Sequence, residues 1–173
     1  CILSGIDMSH SIVFKGANSS TYLSIMDHKG DMEVAISDMD ILEQLTVEII
    51  REKAHVIENS SCIVVDTNLT EEVLYHLLKD YKNKDFFLDT VSTSKAMKVS
   101  DFIGAFHTIK PNRLEAEKLS GIKIRDNNDL RKVSEYFLKK GVKNVYISLG
   151  EEGVYYADGE TSGIFKIPRV KVV

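Results

Sequence analysis

The sequence is short of cysteine and lacks the usual metal-ligand motifs. Its two cysteines, Cys1 and Cys62, fall in no metal-ligand spacing, so the chain has neither a disulfide framework nor a zinc motif. A single bridge between them is conceivable, but nothing indicates an oxidising compartment, and we expect reduced thiols and a cytoplasmic location. The five histidines show no H-E-x-x-H spacing, which leaves metal-hydrolase chemistry unsupported.

The sequence also lacks an excess of positive charge and a long apolar run. The formal net charge is −4, so there is no electrostatic footprint for nucleic acid or for an anionic membrane. No apolar stretch approaches the roughly 18 residues of a membrane span. With 43% hydrophobic and 28% charged residues, the 173-residue chain is typical of one globular domain, and we expect no nucleic-acid or membrane partner.

Two glycine-rich nucleotide signatures are missing as well. No G-x-G-x-x-G follows a predicted strand, and G-x-x-x-x-G-K-[ST] does not occur. The first absence disfavours a nicotinamide-binding domain, and the second disfavours a P-loop. The chain opens without Met and closes on a strand-like run, IPRVKVV, so we expect it to be part of a longer protein.

Two regions of different character are present. Residues 11–37 form a β-rich segment, with strand-like runs SIVF, STYLSIM and MEVAI. The polar stretch DHKGD between the last two supplies turn residues, including Gly30, and predicts a hairpin. From residue 38 to 173, strands alternate with helices, which predicts an α/β core with a mainly parallel sheet and helices on both faces.

Individual elements of this core can be placed from local signals. The runs SCIVVD, DFFLD, FHTIK and KNVYISLG predict strands, and GVYYADG with GIFKIP predicts a terminal hairpin. Apolar residues at helical spacing predict helices between them. Thr70 is an expected N-cap and Gly141 an expected C-cap.

Polar residues follow each predicted strand, and these strand ends form the candidate site. Ligands of open α/β sheets bind beyond the carboxyl ends of the strands. Lys95 and Lys98 follow the second of these ends; most lysines are simply solvated, but one beside a phosphate would add favourable charge. The segments concerned are Asp66-Thr67-Asn68, Asp89-Thr90-Val91-Ser92, Lys110-Pro111-Asn112 and Ser148-Leu149-Gly150.

Two of these ends allow both a structural and a functional interpretation. Asn112-x-x-Glu115 fits a capping box, and the same helix N-terminus could bind a phosphate, with a hydrated Mg²⁺ between the phosphate and Glu115. The two interpretations are compatible. The glycines of Ser148-Leu149-Gly150-Glu151-Glu152-Gly153 fit an ordinary hairpin turn or a turn whose amides approach a nucleotide closely.

Four stretches in their order here, STYLSIMD, GDMEVAISDMDIL, KPNRLEAEKLSGI and ISLGEEGVYY, resemble the ribokinase-like carbohydrate kinases of the PfkB family. The resemblance covers essentially the whole chain. DMEVAISDMDIL followed by DTNL resembles, within the family, the members that act on pseudouridine. The resemblance implies ATP-dependent phosphorylation of the 5′-hydroxyl of that nucleoside. It implies ATP and Mg²⁺ as cofactors, leaves a monovalent cation open, and implies a homodimer formed through the β-rich segment, which resembles the family's lid over the sugar.

The resemblance also implies roles for particular residues. Asn112 and Glu115 would organise Mg²⁺ and the ATP phosphates, with Glu115 reaching the metal through water. The nucleotide site would include Ser148, Gly150 and Gly153. Asn68, with Asp66 behind it, would contact the substrate, and Thr21 and Tyr22 would lie on the lid.

The sequence departs from the family pattern in two places. The resemblance puts the glycine-rich sugar-binding segment before residue 1, and the G-A-G-D motif with the catalytic aspartate beyond Val173. We therefore name no catalytic base and expect this chain alone to be inactive. The alternatives are another PfkB kinase, such as a ribokinase, and a non-catalytic nucleotide-binding or interaction module.

Overall fold

The β-rich segment forms a two-stranded antiparallel sheet. The structure, a computed structural model, describes residues 2–28, 32–166 and 168. Strand β1 (Thr21–Met26) pairs with β2 (Met32–Asp38), and the register puts Leu23 opposite Ile36 and Ile25 opposite Val34. Because paired residues share a face of the sheet, these four aliphatic side chains form one patch, and each is 48–59% exposed.

The hairpin is shorter than the sequence predicts. Residues 11–14, the SIVF run, lie in no strand, so the prediction of a strand there is wrong. Val13 is 82% exposed and has no neighbouring strand to pair with, and β propensity without a partner does not make a strand. Gly30 and Asp31 of the predicted turn lie outside the described residues.

The core contains six helices and six strands in the described residues. The helices are α1 (Val47–Glu52), α2 (Ala54–Asn59), α3 (Glu71–Asp80), α4 (Thr93–Ala96), α5 (Arg113–Ser120) and α6 (Asn127–Lys140). The strands are β3 (Cys62–Asp66), β4 (Asp85–Asp89), β5 (Thr108–Lys110), β6 (Asn144–Ser148), β7 (Val154–Ala157) and β8 (Ser162–Phe165). Short 3₁₀ turns occur at Ile2–Ser4, Asp40–Gln44, Met97–Val99, Ile103–Ala105 and Gly150–Glu152.

These six strands form one sheet in the order β3-β4-β5-β6-β7-β8. The first four are parallel, and β7 and β8 return as an antiparallel hairpin. Each parallel connection contains at least one helix, as a parallel crossover requires. The mainly parallel α/β sheet with a separate small antiparallel sheet agrees with the predicted fold class.

Helix ends follow the predicted capping signals. Thr70 Oγ1 accepts a hydrogen bond from the Val73 N–H at 3.3 Å, which starts α3. Gly141 ends α6 with a φ of 120°, a backbone conformation that side-chain-bearing residues rarely adopt. Val47, Ile50, Ala54 and Ile57 recur at helical spacing and predict one helix before β3, but the helix is interrupted at Lys53, so these residues lie on two short helices, α1 and α2.

The sheet has one covered and one exposed face in the described residues. A laterally paired row crosses the covered face, and each of its members is at most 8% exposed: Val65, Leu88, Ile109, Val145 and Ala157. On the opposite face Val64 is 75% exposed and the paired Tyr146 and Tyr156 are 41% and 37% exposed. The expectation of helices on both faces is therefore met on one face only within the described residues.

Burial on the covered face provides the hydrophobic core. Side chains from α3, α5 and α6 pack with the strand residues in a single cluster, and Phe86, Phe106 and Phe137 are its largest fully buried side chains. Since each such side chain contributes about 1.5–3 kcal/mol when buried, this cluster fixes the sheet and therefore the positions of the strand ends.

The N-cap of α3 gives a direct test of the fold. We expect Thr70→Ala to lower the free energy of unfolding by about 1 kcal/mol, because the Val73 N–H loses its acceptor. Thr70→Ser keeps the oxygen and should behave like the parent protein. Urea denaturation measures both values, and equal loss in the two variants would contradict the assigned cap.

Candidate active site

Polar residues at the ends of β3, β4 and β5 lie side by side. The register pairs Asp66 with Asp89 and Asp89 with Lys110, so the three side chains share the exposed face of the sheet. Lys110 Nζ lies 3.0 Å from Asp89 Oδ2. The predicted convergence of strand ends is therefore present, with two carboxylates and one ammonium group in a row.

The end of β3 is organised by hydrogen bonds around Asn68. Asp66 accepts from the Asn68 backbone N–H at 2.9 Å and from its side-chain amide at 3.0 Å. Lys95 Nζ donates to Asn68 Oδ1 at 2.6 Å. Lys98 Nζ donates to the carbonyls of Thr67 and Leu69 at 3.0 and 2.9 Å. Lys98 is therefore a structural residue, whereas Lys95 belongs to the candidate site.

An open cavity of about 570 Å³ lies beside this strand end. Such a volume is within the range of small-molecule sites. Its floor is apolar and its polar groups are the two strand-end carboxyl groups. It is lined by Val64, Val65, Asp66, Leu69, Asp89 and Val91.

The turn from β5 into α5 forms the predicted capping box. Asn112 Oδ1 accepts from the Glu115 N–H at 2.9 Å, and Glu115 Oε2 accepts from the Asn112 N–H at 2.9 Å. The Asn112 side-chain amide also donates to Glu115 Oε1 at 2.7 Å. The structural interpretation of this motif is confirmed, and its geometry leaves the functional interpretation open.

The Glu115 carboxylate is buried without a cationic partner. Glu115 is 3% exposed, and among the described residues no Lys, Arg or His forms an ion pair with it. Buried carboxylates are usually paired or bound to metals. Here hydrogen bonds and the positive end of the α5 dipole provide the stabilisation.

Two buried threonines complete this network; both lie in the strand-end segments named from the sequence, but the sequence assigned neither of them a role. Thr90 Oγ1 donates to Glu115 Oε2 at 2.5 Å, and Thr67 Oγ1 donates to the Thr90 carbonyl at 2.7 Å. Both threonines are 0% exposed. One signal was available: β3 and β4 each end in the same dipeptide, Asp-Thr.

The β4–α4 turn has an unusual backbone conformation at Val91. Its φ is 57°, which is rare for a β-branched residue. Asp89 Oδ1 accepts from the Val91 N–H at 3.0 Å, and the Thr90 carbonyl accepts from the Ser92 N–H at 2.6 Å. The surrounding hydrogen bonds thus hold the turn in a conformation that Val91 alone would not favour.

The loop 148–153 lies directly beside the Asn112 turn. The Ser148 N–H donates to the Pro111 carbonyl at 2.9 Å, and Arg113 forms a 2.8 Å ion pair with Glu152. A cavity of about 450 Å³, lined in part by Arg113, Arg125 and Glu152, adjoins this junction. The structure therefore brings together the residues that the sequence assigns to the nucleotide site.

The two glycines of this loop differ in their surroundings. A Cβ on Gly153 would lie 2.1 Å from the Phe165 carbonyl oxygen, and its φ is 102°. Gly150 has a φ of 62° and no atom within 4 Å of the corresponding position. Gly153 is required for packing against β8, whereas Gly150 leaves an open approach to its backbone.

Thr21 and Tyr22 lie on the hairpin, at the start of β1. Thr21 is exposed and pairs with Asp38 of β2. Within the described residues, no hydrogen bond joins its side chain to Asp66 or Asn68. Its assignment to the substrate site stays a prediction.

These residues fit a Mg²⁺ site in which the protein supplies only one or two of the metal's ligands. The described part of the chain contains no cluster of three or more His, Cys, Asp or Glu residues that could hold a metal. Mg²⁺ commonly keeps several waters and binds through one or two carboxylates together with substrate phosphates. A single buried carboxylate beside a helix N-terminus matches that mode.

Comparison with known proteins decides the family. The model of the pfkB family carbohydrate kinases matches residues 3–173. The chain belongs to the pfkB family. The comparison also confirms the predicted ribokinase-like resemblance, since crystal structures of family members share the fold.

Relatives of this pfkB chain include pseudouridine kinase of Escherichia coli K12, which is 41% identical over 90% of this chain and 50% of its own length. A crystal structure of a candidate sugar kinase from Clostridium perfringens is 43% identical, with a TM-score of 0.80 over 95% of this chain and 52% of that one. Ribokinase from Thermotoga maritima has a TM-score of 0.72 at 23% identity, covering 89% and 50% of the two chains.

The pfkB chain spans about half the length of the curated relatives it matches. Of the helices in the described residues, none is long and apolar enough to cross a bilayer.

Because Gly153 and Gly150 have different surroundings, we expect alanine to destabilise the protein to different extents at the two positions. Gly153→Ala should lower the free energy of unfolding by at least about 2 kcal/mol, because both the overlap with β8 and the backbone conformation are unfavourable. Gly150→Ala should cost only about 1 kcal/mol for its left-handed conformation. Chemical denaturation compares the two, and equal costs would show that β8 does not approach Gly153.

Proposed function

We propose that the protein is an ATP-dependent nucleoside kinase that phosphorylates the 5′-hydroxyl of pseudouridine. The single observation that carries this proposal is the buried Glu115 carboxylate, which lies at the start of α5 beside the 148–153 loop without a cationic partner among the described residues. The chain is 41% identical to a pseudouridine kinase, which supports pseudouridine as the acceptor. Other pfkB kinases, ribokinase included, are the alternative within the family.

The nucleotide side of the site is formed by two adjacent backbone turns. The free N–H groups at the start of α5 and the exposed backbone of Gly150 would bind the phosphates of ATP. Asn112 and Glu115 would hold Mg²⁺ through its water shell, and Ser148 and Gly153 shape the turn. Mg²⁺ bound there would neutralise charge on the phosphate oxygens during transfer.

The acceptor side is formed by the end of β3. Asn68 is held between Asp66 and Lys95, so its amide is fixed before the sugar arrives, which favours binding. The 570 Å³ cavity beside it can hold a nucleoside. Lys95 adds positive charge next to Asn68, which would favour a phosphoryl group bound there. We assign no catalytic base to the residues of this chain.

The hairpin supports a proposed homodimer. Leu23, Ile25, Val34 and Ile36 form a patch of exposed aliphatic side chains, and an exposed apolar strand pair is stabilised by association. We propose that this sheet closes over the acceptor and packs on a second copy. Thr21 lies on the same face of β1 as Leu23 and Ile25, and its contact with the substrate stays a prediction. A cytoplasmic location and the use of a monovalent cation stay predictions.

A phosphotransfer assay on the natural full-length polypeptide tests the proposal. With ATP and Mg²⁺ supplied, we expect kcat/KM to be highest for pseudouridine and lower for uridine and ribose, and phosphorus NMR should place the product phosphate on the 5′-oxygen. A preference for ribose would move the assignment to the ribokinases. Failure to phosphorylate any of the three acceptors would reject the proposed acceptor.

A matched pair of variants tests the role of Glu115 in the same assay. Glu115→Gln removes the buried charge and should lower kcat/KM for ATP by about 10- to 100-fold, the usual effect of disturbing groups around a metal site. Glu117→Gln is the control on the same helix. Lys123 donates a hydrogen bond to Glu117 and holds the pKa of that carboxyl below its usual value. Glu117 also accepts from the Ile124 N–H at 2.8 Å, a bond that the amide oxygen of Gln can keep, so this variant loses the ion pair with Lys123 and should keep its activity.

A further inference from the structure

The hydroxyl of Thr90 is the one side-chain donor from outside the capping box that reaches the Glu115 carboxylate in the described residues. The other two donors, the backbone N–H and the side-chain amide of Asn112, belong to the same turn as Glu115. Thr90 comes from a different strand end, 25 residues earlier in the sequence. Removing the capping box would disturb the helix, but removing the Thr90 hydroxyl would leave the box intact.

The position of this hydroxyl is itself fixed. Thr90 is 0% exposed, its carbonyl accepts from Thr67 Oγ1 and from the Ser92 N–H, and the next residue, Val91, has a φ of 57°. Backbone strain of this kind persists only where the surroundings determine the conformation. The turn therefore holds Thr90 in one orientation, with its hydroxyl directed at Glu115 Oε2.

We propose that Thr90 is a positioning residue, which orients the Glu115 carboxylate for Mg²⁺ bound with ATP. The inference rests on the proposed function of Glu115 and assigns a new residue to it. With Oε2 occupied by Thr90 and by the Asn112 N–H, Oε1 keeps acceptor capacity beyond its single bond to the Asn112 amide. A carboxylate accepts up to about four hydrogen bonds, so the oxygen with spare capacity is the one available to a metal-bound water.

Thr67 provides a matched control at the other end of the same chain of hydrogen bonds. It is also 0% exposed and also loses one buried hydrogen bond when its hydroxyl is removed. Its hydroxyl, however, bonds to a backbone carbonyl and does not touch the carboxylate. Thr67→Val and Thr90→Val therefore remove equivalent groups from the core but differ in their effect on Glu115.

The test measures binding of a non-hydrolysable ATP analogue by calorimetry across a Mg²⁺ series, on the natural full-length polypeptide. Thr90→Val should raise the Mg²⁺ concentration that gives half-maximal analogue affinity by about 10- to 100-fold, the usual cost of losing an outer-sphere partner. Thr67→Val should raise that concentration much less, because Thr90 keeps its hydroxyl and its carbonyl still accepts from the Ser92 N–H, although the melting temperature of this variant should fall similarly. Thr90→Ser, which keeps the hydroxyl, should restore the parent value.

The outcomes separate this inference from the proposed kinase activity. Equal Mg²⁺ midpoints for Thr90→Val and Thr67→Val would overturn the positioning role, whichever acceptor is phosphorylated. A shifted midpoint in a protein that phosphorylates none of the three acceptors would support the positioning role and reject the acceptor assignment. If Thr90→Val does not fold, Thr90→Cys replaces it, because a thiol is a weaker donor; an unchanged midpoint there would overturn the proposal equally.

Discussion

A buried carboxylate with no cationic partner among the described residues is the constraint around which the strand ends are arranged. Transfer of a charged group into a protein interior is costly unless hydrogen bonds or ions compensate it. Glu115 meets this requirement through three donors, supplied by Asn112 and Thr90, and through the α5 dipole. Two of these donors come from the turn after β5 and one from the turn after β4, so the charge joins the ends of β4 and β5 into one unit.

Hydrogen bonds and strand register connect the rest of the candidate site to that unit. Thr67 attaches the end of β3 to Thr90, and the Ser148 N–H attaches the end of β6 to Pro111. The parallel register brings Asp66, Asp89 and Lys110 into one row. The proposed acceptor and nucleotide regions therefore share a common framework, which suits a reaction in which two substrates must be held in line.

Short-range chemistry explains which features could be predicted from the sequence. The Asn112-x-x-Glu115 box, the Thr70 N-cap and the Gly141 C-cap depend on residues within one turn of each other, and all three are confirmed. The strand predicted for the run SIVF was wrong, because a strand needs a neighbouring strand with which to pair. The links from Thr67 to Thr90 and from Thr90 to Glu115 span 23 and 25 residues, and the repeated Asp-Thr dipeptide does not show which residues these threonines contact. The choice of acceptor depended on the resemblance of DTNL and its neighbours to a kinase family.

A crystal structure with Mn²⁺ and a non-hydrolysable ATP analogue would test the central claim most directly, because Mn²⁺ can replace Mg²⁺ and be located by its anomalous scattering. We expect a metal-bound water within hydrogen-bonding distance of Glu115 Oε1, with the phosphates over the start of α5. A metal bound elsewhere, with the Glu115 carboxylate facing only protein atoms, would contradict it.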